Sequence, residues 1–167
     1  MLSKKMEKAL NDQINAEMAS SYLYLAMAAD FADRNQMGFA HWMKVQAGEE
    51  TGHAMRIFGH LIERGSRVTL TALETPQAKW ASPLAAFEAA LKHEKYITGR
   101  INDLVNLAIA EKDHATATFL QWFVSEQVEE EASALDIVQK VNPRAFVTMQ
   151  DIEMVTPRHR RAAWPFK

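Results

Sequence analysis

The chain has 167 residues, enough for one domain with a sizeable core. Hydrophobic residues make up 48%, and 19 basic against 21 acidic residues leave a formal net charge of −2. That balance lacks the basic excess of a phosphate-binding surface and argues against nucleic acid as the main partner. With no cysteine, disulfides, thiolate zinc sites and cysteine nucleophiles are excluded, so a metal would be held by carboxylates, imidazoles, amides or water.

Apolar residues recur at spacings of three and four over two long stretches before the first proline, Pro76. The first predicted helix runs roughly from Ser3 to Asp33, with Leu10, Ile14, Glu17, Ser21, Tyr24, Ala28 and Phe31 on one stripe. The second runs roughly from Met37 to Arg64, with stripe Phe39, Met43, Gln46, Glu50, His53, Ile57 and Leu61, and Gly65 suits the left-handed residue after a helix. Ser82-Pro83 starts a third helix with a capping serine and a proline in its first turn; its stripe is Leu84, Phe87, Leu91, Glu94, Thr98, Ile101 and Val105. Asp113 caps a fourth, with stripe Leu120, Phe123, Gln127, Glu130, Ala134, Ile137 and Val141, and Asn142-Pro143 ends it. Arg144 to Val155 reads as a short fifth helix, followed from Arg158 to Lys167 by a basic tail. The first residues contain no apolar core of signal-peptide length, and no run of about 18 apolar residues occurs. A soluble, cytoplasmic protein with no membrane partner is expected.

Short connections make helices one and two, and helices three and four, antiparallel neighbours. Between helices two and three lies Ser66 to Ser82, without helical pattern. A helix of about 28 residues is roughly 42 Å long. A loop of about 17 residues stretches to roughly 56 Å and can therefore cross the whole bundle, making helices two and three parallel. The expected fold class is all-α, a four-helix bundle with one long crossover.

Each inward stripe is apolar except near its middle, where Glu17, then Glu50 with His53, then Glu94, then Gln127 with Glu130 stand in one layer. A buried ionised carboxylate is costly unless paired or metal-bound, and several together repel one another. Divalent or trivalent cations remove both costs, and carboxylate with imidazole suits iron or manganese. Glu50-x-x-His53 and Gln127-x-x-Glu130 each put two side chains on one helical face. A lone Glu-x-x-His is usually surface charge; here four independent stripes would have to slip together to produce the layer by chance. His41, His60 and His114 read as surface residues, and His93 as exposed or as a neighbour of the layer. Gly48, Gly52 and Gly59 each weaken helix two by roughly 1 kcal/mol relative to alanine, for close helix approach or for ligand mobility.

The motifs Gln13-Ile14-Asn15-Ala16-Glu17, Gly48-Glu49-Glu50-Thr51-Gly52-His53, His93-Glu94 and the run from Phe119 to Glu131 resemble the ferritins, and within them the bacterial non-haem ferritins. The resemblance covers about residues 3–155, and the last motif is highly specific. It implies a ferritin-like bundle over residues 1–155 with a fifth C-terminal helix, and a tail over residues 156–167. It implies a ferroxidase: Glu17, Glu50 and His53 holding one iron, Glu94 with Gln127 or Glu130 the other, and Glu50 bridging. It matches Glu49, Glu126 and Glu129, with Glu130 shared, to a third iron site, and gives Tyr24 the role of electron donor beside the centre. It further implies Fe(II) oxidised to Fe(III) by O2 or H2O2 and stored as mineral in a hollow homo-oligomeric shell of 24 subunits.

The chain departs from related patterns in ways that bear on function. Bacterioferritins place a haem-ligating methionine directly after the glutamate matching Glu50, where this chain has Thr51, and a histidine where it has Glu130, so no haem is expected. Pro157 cuts off the fifth helix that lines the fourfold pore in typical ferritins, while Glu111 and Asp113 are candidates for lining a pore. Peroxide detoxification of a rubrerythrin-like or miniferritin-like kind is the alternative. Rubrerythrins usually add a cysteine-rich module that is lacking here, and miniferritins place their metal between subunits; the tail Arg158–Lys167 is what would favour a DNA-coating miniferritin.

Overall fold

The computed structural model describes residues 1–141. The expected stop at Asn142-Pro143, the fifth helix and the basic tail lie outside them. The elements are α1 (Lys4–Asp33), α2 (Met37–Glu63), α3 (Pro83–Ala110) and α4 (His114–Val141). The two expected caps are in place, Ser82 Oγ accepting from Ala85 N–H at 3.1 Å and Asp113 Oδ1 from Thr116 N–H at 3.2 Å, and Ser3 Oγ caps α1 in the same way, accepting from Met6 N–H at 3.0 Å. Gly65, at φ 67°, closes α2 as expected, its N–H bonding Ile62 O and that of Ser66 bonding Leu61 O. The same left-handed closure follows α1 and α3 at Asn35 (φ 58°) and Lys112 (φ 55°), where no glycine signals it.

Cross-helix hydrogen bonds give the directions. Ser3 at the start of α1 bonds Glu111 at the end of α3, and Ser20 meets His93 while Arg100 meets Gln13, so α1 and α3 are antiparallel. Gln46 bonds Glu130 and His60 meets Thr116, so α2 and α4 are antiparallel. Because α1 is antiparallel to α2 as well as to α3, α2 and α3 run parallel, as the long connection requires.

That connection is tied along α1. Asn11 accepts from Thr69 N–H at 2.6 Å and donates to Arg67 O at 3.0 Å. Asn15 bonds Thr71 Oγ1 at 2.8 Å. Farther along, Asp30 accepts from Trp80 N–H and Arg34 donates to Trp80 O, while the Trp80 side chain is buried in the core. Side chains of α1 and of its C-cap Arg34 thus satisfy loop backbone groups that no ladder serves.

The apolar core comes in two pieces. One gathers Tyr24, Met27, Phe31, Trp42, Met43 and Phe87 toward one end. The other gathers Leu10, Ile14, Ile57, Leu61, Ile97, Ile101, Leu120 and Phe123 toward the other. Each large side chain in them contributes about 1.5–3 kcal/mol of burial. Along every helix, the polar residues of the layer fall between the two pieces. The predicted stripes of α1 and α4 match the buried faces; on α3 the face drifts by one residue, so that Ile97 and Leu104 are buried where Thr98 and Val105 were expected. A straight helix of 3.6 residues per turn drifts against a fixed seven-residue pattern.

Candidate metal centre

Four helices carry the layer into the middle of the bundle. Glu17, Glu50, His53, Glu94, Gln127 and Glu130 are all buried, with Glu50 and Glu94 at 0% exposure. On the α1–α2 side, His53 Nδ1 lies 3.4 Å from Glu50 Oε2 and 4.0 Å from Glu17 Oε2. One ligand-type atom from each of the three falls within 4.8 Å of the others. Glu17 Oε2, both Glu50 oxygens and His53 Nδ1 find no hydrogen-bond partner outside this group among the described residues. Buried polar atoms without partners are rare and costly, and their convergence on one point fits a cation.

A second group of the same kind joins His53 to Glu126 and Glu130 of α4. The imidazole therefore stands between both sets, whereas the sequence motif assigns it to Glu17 and Glu50 alone. Glu130 is held from across the bundle, Gln46 Nε2 donating to its Oε2 at 2.8 Å. Glu94 accepts a short hydrogen bond from the Tyr24 hydroxyl, leaving Oε2 unpartnered. Tyr24 is completely buried, so its hydroxyl, the one polar atom of a core ring, touches the centre directly. Gln127 is turned toward α3: its Oε1 lies 3.2 Å from Thr98 Oγ1, which sits 2.5 Å from Glu131.

Burial and mutual repulsion push these carboxyls upward. Glu17 rises to about 8, by burial first and the Glu50 charge second. Glu50 rises well above the ordinary carboxylate range through burial and then Glu94. Glu94 and Glu130 rise to about 7, burial leading in both. A cluster that keeps protons near neutral pH without a cation exchanges them for one when the cation binds. Burial and the neighbouring Glu94 also raise Tyr24, which stays a neutral donor.

The three residues matched to a third iron site separate. Glu126 is buried in the second group. Glu49 is half-buried and raised to about 8 by burial, with Glu130 and then Glu126 adding to it. Glu129 is exposed and stands outside both groups.

Other residues depart from the sequence expectation. His60, expected at the surface, is buried, stacked on Phe119 at 3.9 Å with Nε2 3.1 Å from Thr116 Oγ1. His93 is half-buried with Nε2 2.7 Å from Ser20 Oγ, and burial lowers it to about 4. A Cβ on Gly48, Gly52 or Gly59 would meet nothing within 4 Å, so close helix approach within the bundle does not explain these glycines. Gln13 and Gln46 escaped notice as functional residues. Gln13 lies four residues before Glu17 and donates to its Oε1 at 2.8 Å, a spacing that could have revealed it. The Gln46 bond to Glu130 crosses the bundle and leaves no such signal.

This geometry, a carboxylate–imidazole layer between two halves of a four-helix core with one crossover, can be set beside known proteins. A profile of the ferritin-like domain matches residues 7–143. The chain belongs to the ferritin family. It is 45% identical over 141 residues to a bacterial non-haem ferritin from Bacteroides fragilis, covering 84% of this chain and 89% of that one. It is 42% identical to a probable bacterial non-haem ferritin-like protein from Haemophilus influenzae, over 85% and 86% of the two chains. Among solved structures, it is similar to an open-pore ferritin from Archaeoglobus fulgidus, with TM-score 0.89, 50% identity and coverage of 95% and 100%. The Chlorobium tepidum ferritin matches with TM-score 0.82 and 41% identity, over 84% and 85% of the two chains.

Proposed function

We propose that this chain is an iron-storage protein that oxidises Fe(II) at the layer and passes Fe(III) to a mineral within a hollow shell of like subunits. The observation that carries this reading is the convergence of buried oxygens and nitrogen from Glu17, Glu50 and His53, with Glu94 of α3 close enough to act on their charges. Family membership and relatives named bacterial non-haem ferritins support it.

Iron is the substrate. Glu17, Glu50 and His53 take one Fe(II); Glu94 and Glu130 take the second; Glu50, which feels the charges of both Glu94 and Glu130, bridges. Each Fe(II) gives one electron, so a pair reduces O2 with two protons to H2O2, or H2O2 with two protons to water. The carboxyls release protons as iron binds, which places acid beside the oxidant. Tyr24, bonded to Glu94, is positioned to supply a further electron. Gln127, turned toward Thr98, puts a neutral, weakly ligating amide where the α2 pair has a carboxylate, and we read this as ligation loose enough for Fe(III) to leave. Glu126 and Glu49, with Glu130 shared, would hold a third iron on that path; Glu129 contributes there only by turning inward. Storage needs an enclosed volume, which one bundle lacks, so a homo-24-mer in the cytoplasm is the form proposed. No helix among the described residues is long and apolar enough to cross a membrane.

The test is aerobic addition of Fe(II) at many irons per subunit, following oxidation and particle size. A rapid phase that saturates near two or three irons per subunit, in a particle of shell dimensions, is expected. A monomeric particle, or the absence of a rapid phase, would overturn the reading.

A further inference from the structure

A chain of side chains outside the metal layer leads to Glu17 from the solvent side of α3. Arg100 Nε donates to Gln13 Oε1 at 2.8 Å, and Gln13 Nε2 donates to Glu17 Oε1 at 2.8 Å. Arg100 is itself anchored, Nη2 donating to Asp12 O at 3.0 Å and Nη1 to Tyr96 Oη at 3.1 Å. Gln13 is completely buried at the floor of a groove of about 500 Å³ between α1 and α3 that Arg100 also lines.

The amide of Gln13 could face either way on its own, since its two ends have the same shape. A guanidinium has only donors, so it can bond only to the oxygen end. With that end fixed toward Arg100, the NH2 end must face Glu17. The amide then holds Glu17 Oε1 and leaves Oε2 as the one oxygen turned toward Glu50 and His53. Neither Gln13 nor Arg100 touches the other atoms of the layer. We propose that Arg100 is a positioning residue for the Glu17 side of the centre, acting through the amide orientation of Gln13. This inference rests on the proposed function, because it assigns a role at the same centre.

The experiment is an anaerobic Co(II) titration of the full-length assembled protein, read by its visible d–d bands. Wild type is expected to fill two sites. Arg100→Leu should weaken the Glu17-side site by roughly 10–100-fold and leave the Glu94-side site unchanged, the size usual for supports of metal ligands. Arg100→Gln, which offers either end of an amide, should do the same, and it decides the matter if the leucine variant does not assemble. Arg100→Lys keeps a donor-only end and should recover most of the affinity. Equal loss at both sites, no loss in either variant, or no recovery by lysine would overturn the role of Arg100. Absence of paired sites in wild type would instead overturn the proposed function.

Discussion

The two halves of the centre are built differently. On the α1–α2 side, Glu50 and His53 share one helical face, Glu17 meets them from the next helix in the chain, and the supporting Gln13 comes from the same turn region of α1. On the α3–α4 side, each carboxylate is held by a residue distant in sequence: Glu94 by Tyr24, Glu130 by Gln46. The ligands of the first half meet through local periodicity and one hairpin, with one distant support, Arg100 of α3 behind Gln13. The second depends on the whole bundle closing. Apart from Arg100, changes elsewhere in the molecule should therefore be tolerated better by the α1–α2 half than by the α3–α4 half.

The largest expected effect tests the residue proposed to bridge the halves. Glu50→Ala should slow the rapid phase of Fe(II) oxidation on the order of 100-fold or more, since removing even a support of a metal ligand costs 10–100-fold. Stopped-flow absorbance of ferric product measures it, and an intact rapid phase would show that Glu50 joins nothing. Next, Tyr24→Phe removes the donor to Glu94 and should slow turnover about 10-fold while leaving Co(II) binding at the Glu17 side intact. Equal weakening at both sites would break the distinction between halves.

Protonation gives a third test. Glu17 at about 8 and Glu94 and Glu130 at about 7 bind protons in the folded metal-free protein that the unfolded chain, near 4.5, releases. Between about pH 4.5 and 8 the folded state therefore holds more protons, so the metal-free stability should fall as pH rises through that window. Metal affinity should rise over the same range, with proton release on binding. Glu17→Gln keeps the acceptor for Gln13 and removes one charge; at pH 7 it should stabilise the metal-free protein by roughly 2–3 kcal/mol, with the gain vanishing near pH 4.5. Thermal melts of metal-free protein from pH 5 to 8 check both slopes, and a wild-type Tm that climbs across this window would contradict the assignment. The smallest effect lies outside the centre: Gly48→Ala, with open space for its methyl, should stabilise by roughly 0.5–1 kcal/mol in chemical denaturation.

Much of this molecule was legible in its sequence, for identifiable reasons. The caps at Ser82 and Asp113 are local, and each satisfies a backbone N–H within three residues. The polar layer was legible because apolar stripes make a misplaced glutamate conspicuous. The left-handed closures at Asn35 and Lys112 were not, because those residues carry no glycine signature. His60 was read as exposed because its burial comes from Phe119 and Thr116 on α4, far along the chain. Glu129 fell in with Glu126 and Glu130 by motif, yet its place on α4 turns it to solvent.

By itself, the sequence determined four helices, their order, the parallel course forced by the crossover and the six residues of the layer, because helical periodicity and chain length are local constraints. Only the tertiary structure decided which atoms face one another. It set Tyr24 against Glu94, Gln46 against Glu130, Gln127 toward Thr98 and Arg100 behind Gln13, and it placed His53 between two groups of carboxylates. Those pairings depend on how far each helix slides and turns against its neighbours, and no single stripe contains that information.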